Sequence, residues 1–229
     1  DLNLNVQRTS NDTYFKIHDI NTALVNPEDS NLENEILYNF SKDDMFFNIA
    51  ASTYEDLGEK KHSDKYEYIL PNIMYGKTFF TEKFGTLNFT SNALHNEYET
   101  NKHRTSLTND VIWNASSNIT KGGFKNTLEG MLRNTNYSAR KTKEYKDEGT
   151  VNELSAVLTH KTALPMKKDG INYSNFFSPN FMLRYAPGHM RNLSTKDVFL
   201  NYTNLYSMNK TSEIEDGLSA ILGFDYKIN

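Results

Sequence analysis

The chain has 229 residues, enough for one large or two small domains, with a net charge of −4 and no cysteine. The acidic balance argues against a nucleic-acid-binding protein, and the lack of cysteine excludes disulfides, thiolate metal sites and a cysteine nucleophile. No run of about 20 apolar residues occurs, so a transmembrane helix is excluded. A transmembrane β-barrel stays compatible with this composition, because its strands are half polar and give a weak hydropathy signal.

Apolar and polar residues alternate along almost the whole chain, which is typical of strands with one apolar and one polar face. In chain order the alternating apolar positions are Leu2, Leu4, Val6; Leu32, Ile36, Tyr38, Phe40; Met45, Phe47, Ile49, Ala51; Leu87, Phe89; Leu107, Val111, Trp113, Ala115; Phe124, Leu128, Leu132; Leu154, Ala156, Leu158; Phe177, Phe181, Leu183, Tyr185; Val198, Leu200, Tyr202, Tyr206; and Leu218, Ala220, Leu222, Phe224, Tyr226, Ile228. These runs predict an all-β chain of about twelve strands, each roughly 9–14 residues long and therefore near the length that crosses a bilayer at a tilt. No stretch has the 3.6-residue period of an amphipathic helix.

The connections between the predicted strands alternate in length. "SKDD" (41–44) and "TKGG" (120–123) are short, whereas "EDLGEKKHSD" (55–64) and "ARKTKEYKDEGT" (139–150) are longer and charged. Outer-membrane barrels have short turns at one end and long loops at the other. The pattern favours an antiparallel up-and-down barrel segment that spans residues 1–229 as a single unit.

The residues that alternate with the apolar ones predict which face contacts lipid. They include Glu129 and Arg133, which suit a wet surface and would be costly in a dry core. Tyrosines near predicted strand ends are expected to form interfacial girdles; these are Tyr66, Tyr68, Tyr75, Tyr98, Tyr137 and Tyr173. We therefore expect the apolar face to lie in lipid. Pro71 and Pro179 lack a ladder donor, which predicts a strand end or a bulge, the alternative being a weakened strand pair.

No catalytic, metal or cofactor site is expected from the sequence. The six histidines are scattered without metal-ligand spacing, and His62, Ser63 and Asp64 are neighbours in a loop without the spacing of a triad. Residues that bind a substrate are not identifiable from the sequence pattern.

Four stretches together resemble the LptD family of lipopolysaccharide-assembly proteins, also called the organic solvent tolerance family. The first, "RTSNDTYFKIHDI" (8–20), is similar to the family's V-S-D-x-x-Y-F-x-x-x-D segment, and residues 68–98 are similar to its L-x-P-x-I and W-G-x-L strands, with Phe84 in place of the tryptophan. Residues 177–192 resemble its L-x-P-x-x-x-x-x-Y-x-P strand, and residues 204–226 resemble its N-L-F-x-x-N-R run without the expected Gly and Asp. The matching positions, expected to be structural, are Ser10, Asp12, Tyr14, Phe15, Pro71, Gly85, Pro179, Tyr185, Pro187, Asn204, Asn209, Glu215 and Gly217.

The resemblance implies a non-enzymatic function in the outer membrane of a Gram-negative cell. The family forms a barrel of about 26 strands, at the large end of known barrels, plugged by an LptE-like lipoprotein. It receives lipopolysaccharide from an LptA-like periplasmic bridge and inserts it into the outer leaflet through a lateral gate. This chain would be a middle part of that barrel, with both gate edges outside it.

Three other functions remain open from the residues alone. A porin or receptor barrel of another family would carry rings of charge on the polar face. A barrel hydrolase would carry a Ser/His or Asp/His pair at one rim. A soluble β-sandwich binding module would be soluble without detergent.

Overall fold

A computed structural model describes residues 1–19, 31–58, 64–99, 102–141, 149–171, 173–188, 201, 203–209 and 214–228. These residues form an all-β structure with one antiparallel sheet and a single short helix. Among the described residues, no helix is long and apolar enough to cross a membrane. The predicted all-β class is confirmed.

The elements follow one another along the chain with these bounds. They are β1 (Leu2–Asn5), α1 (Tyr14–His18), β2 (Asn31–Lys42), β3 (Met45–Asp56), β4 (Tyr66–Thr81), β5 (Gly85–Tyr98), β6 (Lys102–Asn114), β7 (Asn118–Ile119), β8 (Lys125–Arg140), β9 (Gly149–Ala163), β10 (Met166–Asp169), β11 (Ser174–Ala186) and β12 (Gly217–Ile228).

The sheet has twelve strands, and its long strands pair in chain order, β2-β3-β4-β5-β6-β8-β9-β11-β12, as in an up-and-down meander. Two short strands lie outside this order. β7 pairs with β8, the strand that also pairs with β6, and β10 pairs with β11, the strand that also pairs with β9. Among the described residues β1 pairs with β2, β12 pairs with β11, and no ladder joins β1 to β12. The sheet is therefore not closed, as predicted for a segment of a larger barrel.

Successive connections lie at alternating ends of an antiparallel sheet. At one end, Asp43 and Asp44 join β2 to β3, and residues 82–84 join β4 to β5. The turn at 120–123 is also tight, with Gly123 at a φ of 81° and its N–H donated to the carbonyl of Thr120. At the other end the connections 57–65 and 141–148 are longer, although 99–101 is short.

The two faces of the sheet differ as the alternation predicts. On β12 the side chains of Leu222 and Phe224 are 80% and 67% exposed, and they pair with Phe181 and Pro179 of β11. On β11 the alternate residue Met182 is fully buried. We call the side that carries Phe181, Leu222 and Phe224 the apolar face, and the side that carries Met182 the polar face.

A β-bulge in β4 explains Pro71. Ala50 pairs with Asn72, and Ser52 pairs with Ile69, so Ala51 opposes two residues, Leu70 and Pro71. A bulged residue makes no regular ladder bond, so the missing N–H of proline is tolerated there. The prediction of a bulge at Pro71 is confirmed, whereas Pro179 lies in regular register opposite Phe224.

Two sequence predictions are wrong. The strand predicted from Val198 to Tyr206 is not formed over residues 203–208, which adopt turns and bends, and Val198, Leu200 and Tyr202 lie outside the described residues. Tyr137 is no girdle residue: it is 3% exposed and packs with Ala139 and Val151. Its odd number places it on the polar face of β8, together with Met131.

Backbone contacts divide the chain into two units. The first comprises residues 1–77, 90–108 and 135–152, and the second comprises residues 78–89, 109–134 and 153–229.

An ion-pair network organises the first unit around Lys65. Its Nζ lies 2.5 Å from Asp12 Oδ1 and 2.9 Å from Glu55 Oε1, and the Tyr66 hydroxyl donates to the same Glu55 oxygen. Hydrogen bonding to Asp12, and then to Glu55, raises the pKa of Lys65. The network ties the segment that precedes α1 to the connection between β3 and β4.

Candidate functional site on the polar face of the second unit

Residues 201 and 203–209 adopt a local structure that asparagine side chains hold together by hydrogen bonds. Asn201 Oδ1 accepts from the backbone N–H of Thr203 at 2.9 Å, and Asn204 Oδ1 accepts from the backbone N–H of Asn201 at 2.9 Å. The N–H of Leu205 donates to the Asn201 carbonyl at 3.0 Å. Asparagine side chains that bond nearby backbone groups favour turns over strands, which explains why no strand forms here.

Arg184 of β11 anchors this segment to the polar face. Its Nε donates to the carbonyl of Met208 at 2.5 Å, and its Nη2 donates to the Glu215 carbonyl at 2.6 Å and to Asn209 Oδ1 at 3.2 Å. Arg184 is only 2% exposed. The planar guanidinium presents several fixed donors, so one side chain joins the segments 203–209 and 214–216.

An apolar cluster lies beneath the anchored segments. Met131 of β8, Val157 of β9 and Ala186 of β11 pack with Ile214, which is 3% exposed, and Met208 packs against this cluster. Burial of apolar side chains contributes about 25 cal/mol per Å² removed from water. The cluster therefore stabilises the same two segments that Arg184 bonds.

Tyr206 lies close to β12 of the sheet. A Cβ on Gly223 of β12 would lie 2.3 Å from the Tyr206 hydroxyl oxygen, so a side chain at position 223 would displace the phenol. The hydroxyl is buried and has no hydrogen-bond partner within the part of the chain that the structure describes. Burial raises the pKa of the Tyr206 phenol, and the carboxylate of Asp225 raises it further.

A cavity of about 320 Å³ opens beside Tyr206. Polar side chains from four strands contribute to its lining, namely Lys125 and Thr127 of β8, Lys161 of β9, Asn180 of β11 and Asp225 of β12. This volume lies within the range of small-ligand sites.

One ion pair and one amide–carboxylate hydrogen bond lie at the cavity. Lys161 Nζ donates to both oxygens of Glu129 at 2.8 and 2.7 Å, and Asn180 Nδ2 donates to Asp225 Oδ2 at 2.6 Å. The cavity lining itself carries Lys125, Lys161 and Asp225, whereas Glu129 bonds Lys161 from outside the lining. Two cations and one carboxylate therefore line the cavity, together with several hydrogen-bonding groups.

The structure brings some of the family-motif residues together in the second unit. Asn209 and Glu215 meet at Arg184, and Asn204 closes the turn that places Tyr206. Gly217 begins β12 with a φ of 110°. Tyr185 and Pro187 are exposed, and Pro179 is half-buried.

The motif residues of the first unit lie elsewhere. Asp12 bonds Lys65, while Tyr14 and Phe15 lie on α1 with their rings edge to face at 6.1 Å. Ser10 precedes the helix and is exposed. The printed contacts of Asp12, Tyr14 and Phe15 are all with residues of the first unit.

Sequence reasoning missed Arg184, Tyr206 and Lys161. Arg184 stands on the polar side of an alternating strand, and such a charge beside buried neighbours is a signal that could have singled it out. Its partners lie 24 to 31 residues further along the chain, so local periodicity does not reveal them. Within the described residues no group of three or more His, Cys, Asp or Glu side chains is arranged to hold a metal ion.

The family comparison extends over almost the entire chain. The family model described as "LptD: LPS transport system D" matches residues 1–227. The chain belongs to the LptD family. No curated protein matched the chain.

Membership identifies the class of function. The LptD family is a lipopolysaccharide-transport family of the outer membrane and not an enzyme family. The exposed apolar face of an all-β chain is compatible with that location.

Proposed function

We propose that this chain forms part of the wall of an outer-membrane translocon that inserts lipopolysaccharide into the outer leaflet. The single observation that carries the proposal is the two-faced sheet within an LptD-family chain. Large apolar side chains on one face are exposed, with Leu222 at 80%, and this face suits lipid hydrocarbon. The opposite face carries hydrogen-bonding groups, and it suits the sugar head of the transported lipid.

The other components of the translocon are inferred from the family and belong to the proposal. An LptE-like lipoprotein plugs the complete barrel, and an LptA-like bridge delivers lipopolysaccharide from the periplasm. Residues 1–229 supply a single segment of a larger barrel, with the lateral gate formed elsewhere. Within the described residues β1 pairs only with β2 and β12 only with β11. These open edges support the proposal, because open sheet edges are not tolerated in lipid.

Depletion of the protein that contains this chain tests the proposal. Newly made lipopolysaccharide is pulse-labelled, and its arrival at the cell surface is followed with time. The expected result is that labelled lipopolysaccharide stops reaching the surface while total synthesis continues. Arrival at an unchanged rate after depletion would overturn the proposal, and a complemented strain provides the control.

A further inference from the structure

We propose that three polar side chains on the apolar face, Asn126, His160 and Thr162, bind water within the bilayer and thin its hydrocarbon layer beside β8 and β9. We call these three residues the polar island. The proposal rests on the proposed function, because it requires the apolar face to lie in lipid. It concerns the side of the sheet opposite to Arg184.

Strand register places the polar island on the apolar face. His160 pairs with Leu183, and Thr162 pairs with Phe181, across the ladder between β9 and β11. Side chains of directly opposed residues lie on the same face of a sheet. The Thr162 hydroxyl bonds Asn126 of β8, so Asn126 lies on that face as well. The island is therefore surrounded by large apolar side chains that are themselves exposed, including Leu183 and Phe181.

The polar island lies near the middle of the apolar band and not at its edge. On the same face, Leu154 and Leu158 are exposed on one side of His160, and Met166, which pairs with Phe177, is exposed on the other. His160 is six residues from Leu154 and six from Met166. At about 3.3 Å per residue and a strand tilt of about 40°, six residues span about 15 Å along the bilayer normal, half of a hydrocarbon core about 30 Å thick.

The polar island leaves one acceptor for which hydrocarbon offers no donor. The Thr162 hydroxyl donates to Asn126 Oδ1 at 2.8 Å, so its 3.5 Å contact with His160 Nε2 places the proton of a neutral imidazole on Nε2. His160 Nδ1 is then an acceptor, and the ring makes no other hydrogen bond to the described residues. A polar group without a partner is costly in hydrocarbon, and a water molecule supplies the missing donor.

The apolar stretch beside the island is also short. On β9 the apolar side chains of this face between Asn152 and His160 run from Leu154 to Leu158, about 13 Å along the strand, whereas on β12 they run from Leu218 to Ile228, about 33 Å. A bilayer thins beside a short hydrophobic stretch, and polar groups at depth are accommodated by local thinning and by water defects. The hydrocarbon layer is therefore thinner beside β9 than beside β12.

Electron paramagnetic resonance tests the proposal on the complete protein in vesicles of phosphatidylethanolamine and phosphatidylglycerol. A nitroxide label at Leu183, the cross-strand partner of His160, is compared with a label at Leu222, which lies farther from the island on the same face. The ratio of collisions with a water-soluble nickel chelate to collisions with oxygen should be higher at Leu183. His160→Leu combined with Thr162→Val should lower the ratio at Leu183 to the value at Leu222. Asn48→Leu, which removes an amide from the polar face, is the matched control and should leave the ratio unchanged.

Three results would overturn the proposal. Oxygen favoured equally at Leu183 and Leu222 would show that the island is dry, and the proposed function would stand. Low collision rates with both reagents at Leu183 would show that another protein covers the island. A high ratio at Leu183 that the double variant does not lower would show that the island is not its cause. The comparison of the two labels needs no substitution in the island, so it decides even where the double variant does not fold. Preference for the chelate at Leu222 as well would contradict the proposed function itself.

Discussion

Gly85 lies against the backbone carbonyl of Asn114, so close that a Cβ on Gly85 would be 2.0 Å from that oxygen. Gly85 also has a φ of 84°, a conformation that residues with a Cβ rarely adopt. The same turn is bonded at two further points, because Trp113 Nε1 donates to the Phe84 carbonyl at 2.7 Å and the Ser116 hydroxyl donates to the Glu82 carbonyl at 3.0 Å. The turn between β4 and β5 therefore packs on the end of β6, and glycine is required at the first residue of β5.

Gly85→Ala should destabilise the protein more than Gly123→Ala. Gly123 has nearly the same φ, 81°, but its nearest neighbour, Leu164 Cδ1, would be at an ordinary 3.5 Å. Both substitutions place a residue with a Cβ at a positive φ, which costs about 1–3 kcal/mol of stability. Gly85→Ala adds a steric cost of about 1–3 kcal/mol, because its Cβ would overlap the Asn114 carbonyl. Reversible urea unfolding of the complete protein in lipid measures the difference. Equal free energies of unfolding for the two variants would contradict the close approach.

Loss of Arg184 should release residues 203–209 from the sheet. Arg184→Ala leaves the carbonyls of Met208 and Glu215 without the donor that they have now, and Arg184→Lys cannot replace the forked guanidinium. Hydrogen exchange in 203–209 should become faster in both variants while β9 keeps its protection. Lys168→Ala, at an exposed position in β10, is the control. Unchanged exchange in 203–209 would show that the apolar cluster alone holds the segment.

Arginine should cost far more stability at one residue of β4 than at the residue next to it. Ile73 pairs with Ile49 on the apolar face, whereas Met74 pairs with Asn48 on the polar face and is 43% exposed. Because the two residues lie at almost the same depth, they differ mainly in the face they occupy. Ile73→Arg should cost about 2–4 kcal/mol near the bilayer midplane, and Met74→Arg should cost much less. Unfolding in lipid measures both, and similar costs at the two sites would refute the assignment of faces.

The network of Lys65 should persist through neutral and moderately alkaline pH. The pKa of Lys65 is raised above its ordinary value of 10.5 by Asp12 and then Glu55. A raised lysine pKa contributes stability that is fully present below 10.5 and is lost as pH rises through the higher folded-state value. Protection of residues 10–18 from proteolysis should therefore be constant from pH 6 to about pH 10. Lys65→Met should lose that protection at every pH, and equal protection in wild type and variant would show that the network does not hold the segment.

The strands were predictable from the sequence because a period of two is a local property. Phe181, Leu183 and Tyr185 identify their face without any knowledge of β12, and the exposure of Leu218, Leu222 and Phe224 follows from the same rule. The bulge is also visible in the sequence pattern. The apolar positions change from even numbers, Tyr68 and Leu70, to odd numbers, Ile73 and Tyr75, at Pro71.

The candidate site was not predictable, because its parts meet through long-range contacts. The alternation of Leu200, Tyr202 and Tyr206 indicated a strand, but Asn201 and Asn204 bond the backbone locally and form turns instead. The position of Tyr206 depends on Gly223, a contact across 17 residues of sequence. Only a three-dimensional arrangement reveals that a buried arginine and a glycine on neighbouring strands place this segment.

The most direct test of the two-faced sheet attaches a nitroxide label to one introduced cysteine, because residues 1–229 contain no cysteine and any cysteine elsewhere in the complete protein is first replaced. Labels at successive positions of β2 in the complete protein in lipid are compared for collision with oxygen, which partitions into hydrocarbon, and with a water-soluble nickel chelate. The account predicts a period of two, with oxygen favoured at Ile36, Tyr38 and Phe40 and the chelate favoured at Leu37 and Asn39. Equal ratios at neighbouring positions, or preference for the chelate at Ile36, Tyr38 and Phe40, would contradict the claim that this face lies in lipid.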